Sequence, residues 1–123
     1  MIVTKYENVR PIDVDGCLIY CVKDKTKPYV PVDVIDPVTK RYIRQGVNTN
    51  MVRLLREEHH RGGYIIVWSR SGWEWARNVV QALGLEKYVH EVKSKPIAYF
   101  DDTPVKKWMT DRVYIGPDEM YKR

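Results

Sequence analysis

The sequence predicts an α/β domain with a mainly parallel sheet and helices on both faces. Two patterns carry that prediction. β-favouring runs alternate with segments of helical periodicity, the order expected when parallel strands are joined by helices. Three of the runs also end in polar residues: Asp13 with Asp15, Ser69, and Asp101 with Asp102. In open parallel sheets, ligands bind beyond the carboxyl ends of the strands.

The first strand is predicted over about 9–14 and ends at Asp15-Gly16, a pair that favours a sharp turn. From Tyr20 to Gly46 the character changes: three prolines, lysine-rich turns, and the alternating Val30, Val32 and Val34. Two short β-rich runs around Asp36-Pro37 predict a hairpin, here called the flap. Asn48 or Thr49 is placed to cap a helix from about 50 to 61, with Met51, Leu54 and Leu55 forming its apolar stripe and Gly62-Gly63 stopping it.

Tyr64 to Trp68 is a nearly continuous β-favouring run, as expected of a parallel strand buried on both faces. A second helix is predicted over about 73–83, with Trp75, Ala76, Val79, Val80 and Leu83 facing a core. After it come an extended piece at 88–92, a strand at 97–100, a short helix at 105–109 and a last strand at 113–115.

At 123 residues the chain has room for one domain, expected to span 1–123 with the flap inserted at about 20–46. Apolar residues make up 44% and charged residues 30%, which excludes the disordered and fibrous classes. No run approaches the roughly 18 apolar residues of a membrane span, and the first ten residues lack the apolar centre of a signal peptide, so a cytoplasmic protein without membrane contact is expected. Cys17 and Cys21 lack a second Cys pair or a Cys/His cluster at zinc spacing and are read as reduced thiols. The net charge of +5 suits a phosphorylated substrate or nucleic acid, although the basic residues are scattered enough to be simply a solvated surface.

Phosphoryl transfer needs a nucleophile, an acid for the leaving oxygen, a cation, and donors for the phosphate oxygens. The strand ends offer each. Asp13 is the candidate nucleophile and Asp15 the candidate acid/base. Asp13, Asp15 through its backbone carbonyl, and Asp101 or Asp102 are candidate ligands for Mg²⁺, which prefers oxygen donors. Ser69, Arg70 and Lys95 are candidate phosphate-binding residues. Taken singly, each has an ordinary reading: Asp-x-Asp-Gly as a turn, Ser69 as a helix cap, Asp101-Asp102 as the start of a turn before Pro104. Their shared position at strand ends is the stronger argument.

The segments Ile12-Asp13-Val14-Asp15-Gly16-Cys17-Leu18, Ile65-Ile66-Val67-Trp68-Ser69, Lys95-Pro96 and Tyr99-Phe100-Asp101-Asp102 resemble, in order, the four motifs of the haloacid dehalogenase superfamily. Further likeness at Gly72, Trp75-Ala76, Ala82-Leu83-Gly84-Leu85 and Trp108-Met109 is to the small hydrolase-like members often encoded by bacteriophages. The resemblance covers roughly residues 9 to 116. It implies a Rossmann-like sheet, Mg²⁺, and a phosphatase acting through an aspartyl-phosphate on Asp13. Cys17 stands where the family usually has Thr, and a thiol is the poorer hydrogen-bonding group. Lys95, followed by proline ahead of a strand, is preferred over Lys93 as the family's lysine.

With only a flap in place of a cap domain, an open site is expected. It would accept the phosphate of a small molecule, a nucleotide or a polynucleotide 3′ end, with Lys40, Arg41, Tyr42 and Arg44 as possible contacts. The alternative is a catalytically weak module that binds phosphate or nucleic acid. Of the tryptophans, Trp75 is expected in the core, and Trp73 and Trp108 near the site; His59 and His60 are expected on the surface.

Overall fold

A computed structural model describes residues 8–116. The expected domain limits at 1 and 123, and most of the first ten residues, lie outside these residues. The chain forms β1 (Val9–Asp13), β2 (Ile19–Tyr20), β3 (Pro31–Ile35), β4 (Tyr42–Val47), α1 (Thr49–His60), β5 (Tyr64–Ser69), α2 (Trp73–Ala82), a 3-10 turn at Glu86–Tyr88, β6 (Glu91–Ser94) and the short α3 (Val105–Trp108). None of the described helices is long and apolar enough to cross a membrane.

β1, β5 and β6 form a parallel sheet in the order β1-β5-β6, with Asp13 opposite Trp68 and Ser69 opposite Ser94. Ile12, Ile65 and Val67 on the strands, Val14 just past β1, Met51, Val52 and Leu55 on α1, and Trp75, Ala76, Val79 and Val80 on α2 share one buried cluster. The sheet advances in one direction, so right-handed crossovers would lay both helices on the same face.

That corrects the expectation of helices on both faces. Along β5, buried Ile65, Val67 and Ser69 alternate with half-buried Tyr64, Ile66 and Trp68, the signature of one closed face and one partly open face. A continuous apolar run does not reveal whether both of its faces are covered.

The flap is a second, antiparallel sheet in the order β2-β4-β3. Its hairpin is closed by an Asx turn in which Asp36 Oδ1 accepts the Val38 N–H at 2.8 Å. Val34 reaches the core, and Asn78 of α2 donates to the Ile35 carbonyl at 2.8 Å, so the hairpin is tied to α2. At α1 the cap is Asn48, whose Oδ1 accepts the Met51 N–H at 3.2 Å.

Two expected strands do not form. Residues 97–100 run as an exposed loop, with Phe100 fully exposed and Ile97 88% exposed. Residues 113–115 are irregular, although Ile115 packs against the core and Asp111 pairs with Arg10 of β1 at 2.7 Å. The propensity of these runs is real, but a strand also needs a partner, and the sheet ends at β1 among the described residues.

Candidate active site

Asp13 is the last residue of β1, and the turn after it determines where Asp15 points. The Val14 carbonyl accepts the N–H groups of Cys17, Leu18 and Ile19 at 3.2, 3.0 and 3.2 Å, while the Gly16 N–H donates to the Ile19 carbonyl at 2.8 Å. This tight loop carries Gly16 at φ +79°, a left-handed conformation that glycine adopts without strain. Val14 and Leu18, both fully buried, anchor it, and Asp15 is left exposed at the sheet's end.

Both oxygens of Asp15 are engaged. Oδ2 accepts the Ser69 hydroxyl at 2.9 Å, and Oδ1 accepts the indole N–H of Trp75 at 3.0 Å. Ser69 Oγ also accepts the Ser71 N–H at 3.0 Å, so this buried serine faces Asp15 and its own loop. Arg70 is exposed beside it.

Lys95 reaches Asp13, with Nζ 3.6 Å from Oδ1, and each side chain is about one third exposed. Its backbone N–H donates to the Ser69 carbonyl at 2.8 Å, which extends the β5–β6 pairing by one step and aims the lysine at the end of β1. Lys93 instead lies 3.4 Å from Glu91 Oε1 on its own strand. Asp13, Asp15, Ser69 and Lys95 are therefore brought together.

Asp101 and Asp102 are exposed in the 95–104 loop and occupied locally. Asp101 Oδ1 accepts the Thr103 N–H and Asp102 Oδ1 the Thr103 hydroxyl, both at 3.1 Å. Hydrogen bonds from Asp101 first, then Thr103, hold the Asp102 carboxyl below its usual range. Among the described residues, no group of three or more His, Cys, Asp or Glu side chains is placed to hold a metal ion. Asp13 and the Asp15 carbonyl have the right chemistry for Mg²⁺, but the donor set implied for that ion is not assembled.

Cys17 is buried behind Asp13, and its thiol is pushed up to about 12, chiefly by burial and next by the negative charge of Asp13. It is therefore a neutral thiol at physiological pH. Cys21 is exposed and likewise free.

On the flap, Arg44 is held by Asp33 through paired contacts of 2.9 and 3.0 Å, whereas Lys40, Arg41 and Tyr42 are exposed. Trp73 opens α2 half-exposed, its N–H donating to Ser94 Oγ at 3.0 Å and its ring lying under the Arg77 guanidinium at 5.2 Å.

Sequence reasoning placed Trp75 in the core, where it is, but missed its hold on Asp15. The available signal was that a buried indole N–H requires an acceptor, and Asp15 is the carboxylate at the mouth of the same core. Compared with family models, curated proteins and solved structures, the chain finds no match.

Proposed function

We propose that the chain is a phosphomonoesterase of the haloacid dehalogenase type, with Asp13 as nucleophile and Asp15 as acid/base. The observation that carries this reading is the pairing of two differently held carboxylates at the end of β1: Asp13 beside the Lys95 ammonium, and Asp15 fixed by Ser69 and Trp75. Asp13 Oδ attacks phosphorus, the ester P–O bond breaks, and the leaving oxygen takes a proton from Asp15 in its acid form. Water then attacks phosphorus of the aspartyl-phosphate, Asp15 takes the water's proton, the Asp13 Oδ–P bond breaks to restore the carboxylate, and inorganic phosphate leaves. A hydroxyl both donates and accepts, so Ser69 can serve either state of Asp15, while the Trp75 N–H donates in both. Lys95 offsets charge on the phosphoryl oxygens; Arg70 is the next cation along the loop.

Magnesium and the bacteriophage affinity belong to this proposal on the resemblance alone. So does the wider Rossmann-like sheet, for which the parallel order β1-β5-β6 would be the central part and β1 the edge where further strands join. The exposed Lys40, Arg41 and Tyr42 support a nucleotide or polynucleotide 3′-phosphate as substrate. A second reading, a module that binds phosphate or nucleic acid with little turnover, is favoured by Cys17: a buried neutral thiol is a weak donor where the family's threonine would supply a hydroxyl.

Phosphate release from a generic aryl phosphate decides between the two. The expected result is release by the wild type with Mg²⁺ that disappears in Asp13→Asn and with chelator. Silence from a folded wild type, with phosphate or oligonucleotide still bound by Asp13→Asn, would favour the binding module.

A further inference from the structure

We propose that His90 is an acid-labile latch on the strand that brings Lys95 to Asp13. β5 and β6 pair from Ile66 opposite Glu91 to Ser69 opposite Ser94. One step earlier the chain is only just leaving the 3-10 turn Glu86–Tyr88, and a side chain stands in for a backbone acceptor. The Ile65 N–H donates to His90 Nδ1 at 2.9 Å, while the His90 N–H donates to the Ile65 carbonyl at 2.9 Å. A continued parallel ladder would offer a backbone carbonyl where Nδ1 stands.

Imidazole accepts at Nδ1 only while it is neutral with its proton on Nε2. Imidazolium has two donors and no acceptor. Protonation must therefore break the bond to Ile65, a residue with no exposed surface, and leave a buried N–H without its partner. The His90 residue is itself exposed, so protons reach the ring.

The surrounding groups act in both directions. From β5, the Tyr64 ring stacks on His90 at 4.4 Å; from α1, His59 stacks on it at 5.6 Å. His59 Nδ1 is buried without a hydrogen-bond partner among the described residues, and His60 lies edge-on to His59 at 5.6 Å. Arg56 of α1 and Lys87 of the turn both lie over Tyr88, which is edge-on to His59 at 5.4 Å. Glu86 of the turn and Arg77 of α2 line the same shallow groove as His90. Arg56, Lys87 and Arg77 oppose a positive ring. Glu91 favours one: its carboxylate is held low, first by the Tyr64 hydroxyl and then by the charge of Lys93, and so stays negative beside the ring.

β6 is a four-residue strand at the edge of its sheet among the described residues, so loss of its entry rung loosens the attachment that ends in Ser94 and Lys95. Amide exchange at Ile65 tests the latch in the intact chain. Between about pH 7.5 and about pH 5.5, its protection, corrected for the intrinsic rate, should fall about five-fold or more in the wild type. In His90→Asn, whose amide oxygen stands near the position of Nδ1 and does not titrate, protection should hold. Constant protection in the wild type, or an equal fall in the variant, would overturn the proposal. If the variant fails to fold, the wild type still decides: the Ile65 amide proton shift should follow the His90 ring titration with a shared midpoint, and separate midpoints would sink the idea.

Discussion

Trp75 does two jobs with one side chain: its ring fills the core and its N–H holds Asp15 Oδ1. Trp75→Phe keeps most of the packing and removes the donor. A hydrogen bond to a charged group contributes about 1.5–3 kcal/mol, so kcat should fall by about tenfold or more while KM changes little. Steady-state kinetics on an aryl phosphate would check this, and an unchanged kcat would release Trp75 from any part in the site. Cys17 yields a prediction in pH. Its thiol rises from about 9 in the unfolded chain to about 12 in the fold, so its contribution to stability is complete below about 9 and is lost as pH climbs toward 12. Denaturant unfolding between about pH 8 and about pH 10.5 should lose stability more steeply for the wild type than for Cys17→Ala, by at most about 1.4 kcal/mol per pH unit. Parallel slopes would mean that the thiol is less enclosed than described. At this scale the sequence was legible in position: Asp13 and Asp15 were expected at the end of the first strand, and β1 ends at Asp13. It was silent on the partners of Asp15, because Ser69 and Trp75 lie 54 and 60 residues away and meet it only through the fold.

Among the elements, the flap depends on a glycine that no turn requires. Gly46 pairs with Tyr20 across β2 and β4, and a Cβ built there would lie 2.5–2.9 Å from three atoms of the buried Tyr20 ring. The absence of a side chain lets the ring lie flat over the strand and close the joint between flap and core. Gly46→Ala should cost about 1–3 kcal/mol, the range for overpacking a well-filled site. In a double-mutant cycle with Tyr20→Ala most of that cost should vanish, since the clash needs both partners. An additive cycle would place the cost in the backbone instead. The hairpin, both main helices and their stops were readable from turn residues, caps and the 3.6-residue period, all local signals. The parallel partner of β5 was read only as an extended piece at 88–92, because its pairing depends on a residue far along the chain. The one-sided burial of the sheet was not readable for the same reason: it depends on which segments come to rest against it.

For the whole molecule the decisive segment is 95–104. It begins at Lys95, which reaches the site, and runs through Ile97, Tyr99 and Phe100, exposed apolar residues, to Asp101 and Asp102. The sequence reads 97–100 as a strand, and among the described residues the sheet ends at β1, where such a strand would join. Instead the run is held by its own neighbours: the Tyr99 hydroxyl accepts the Val105 N–H at 3.1 Å, and the Trp108 indole donates to the Thr103 carbonyl at 3.3 Å. This local closure turns the two aspartates to Thr103, and among the described residues no group of three or more His, Cys, Asp or Glu is placed to hold an ion. The arrangement and the wider sheet make opposite predictions for Phe100. A fully exposed ring contributes little to stability, so Phe100→Ser should leave the free energy of unfolding within about 0.5 kcal/mol of wild type. A phenylalanine packed in a completed sheet would instead cost about 3 kcal/mol or more when cut back. We expect the small effect in the chain alone. A large one, read by denaturant unfolding, would show that 97–100 lies on the sheet, with Asp101 and Asp102 at a strand's carboxyl end.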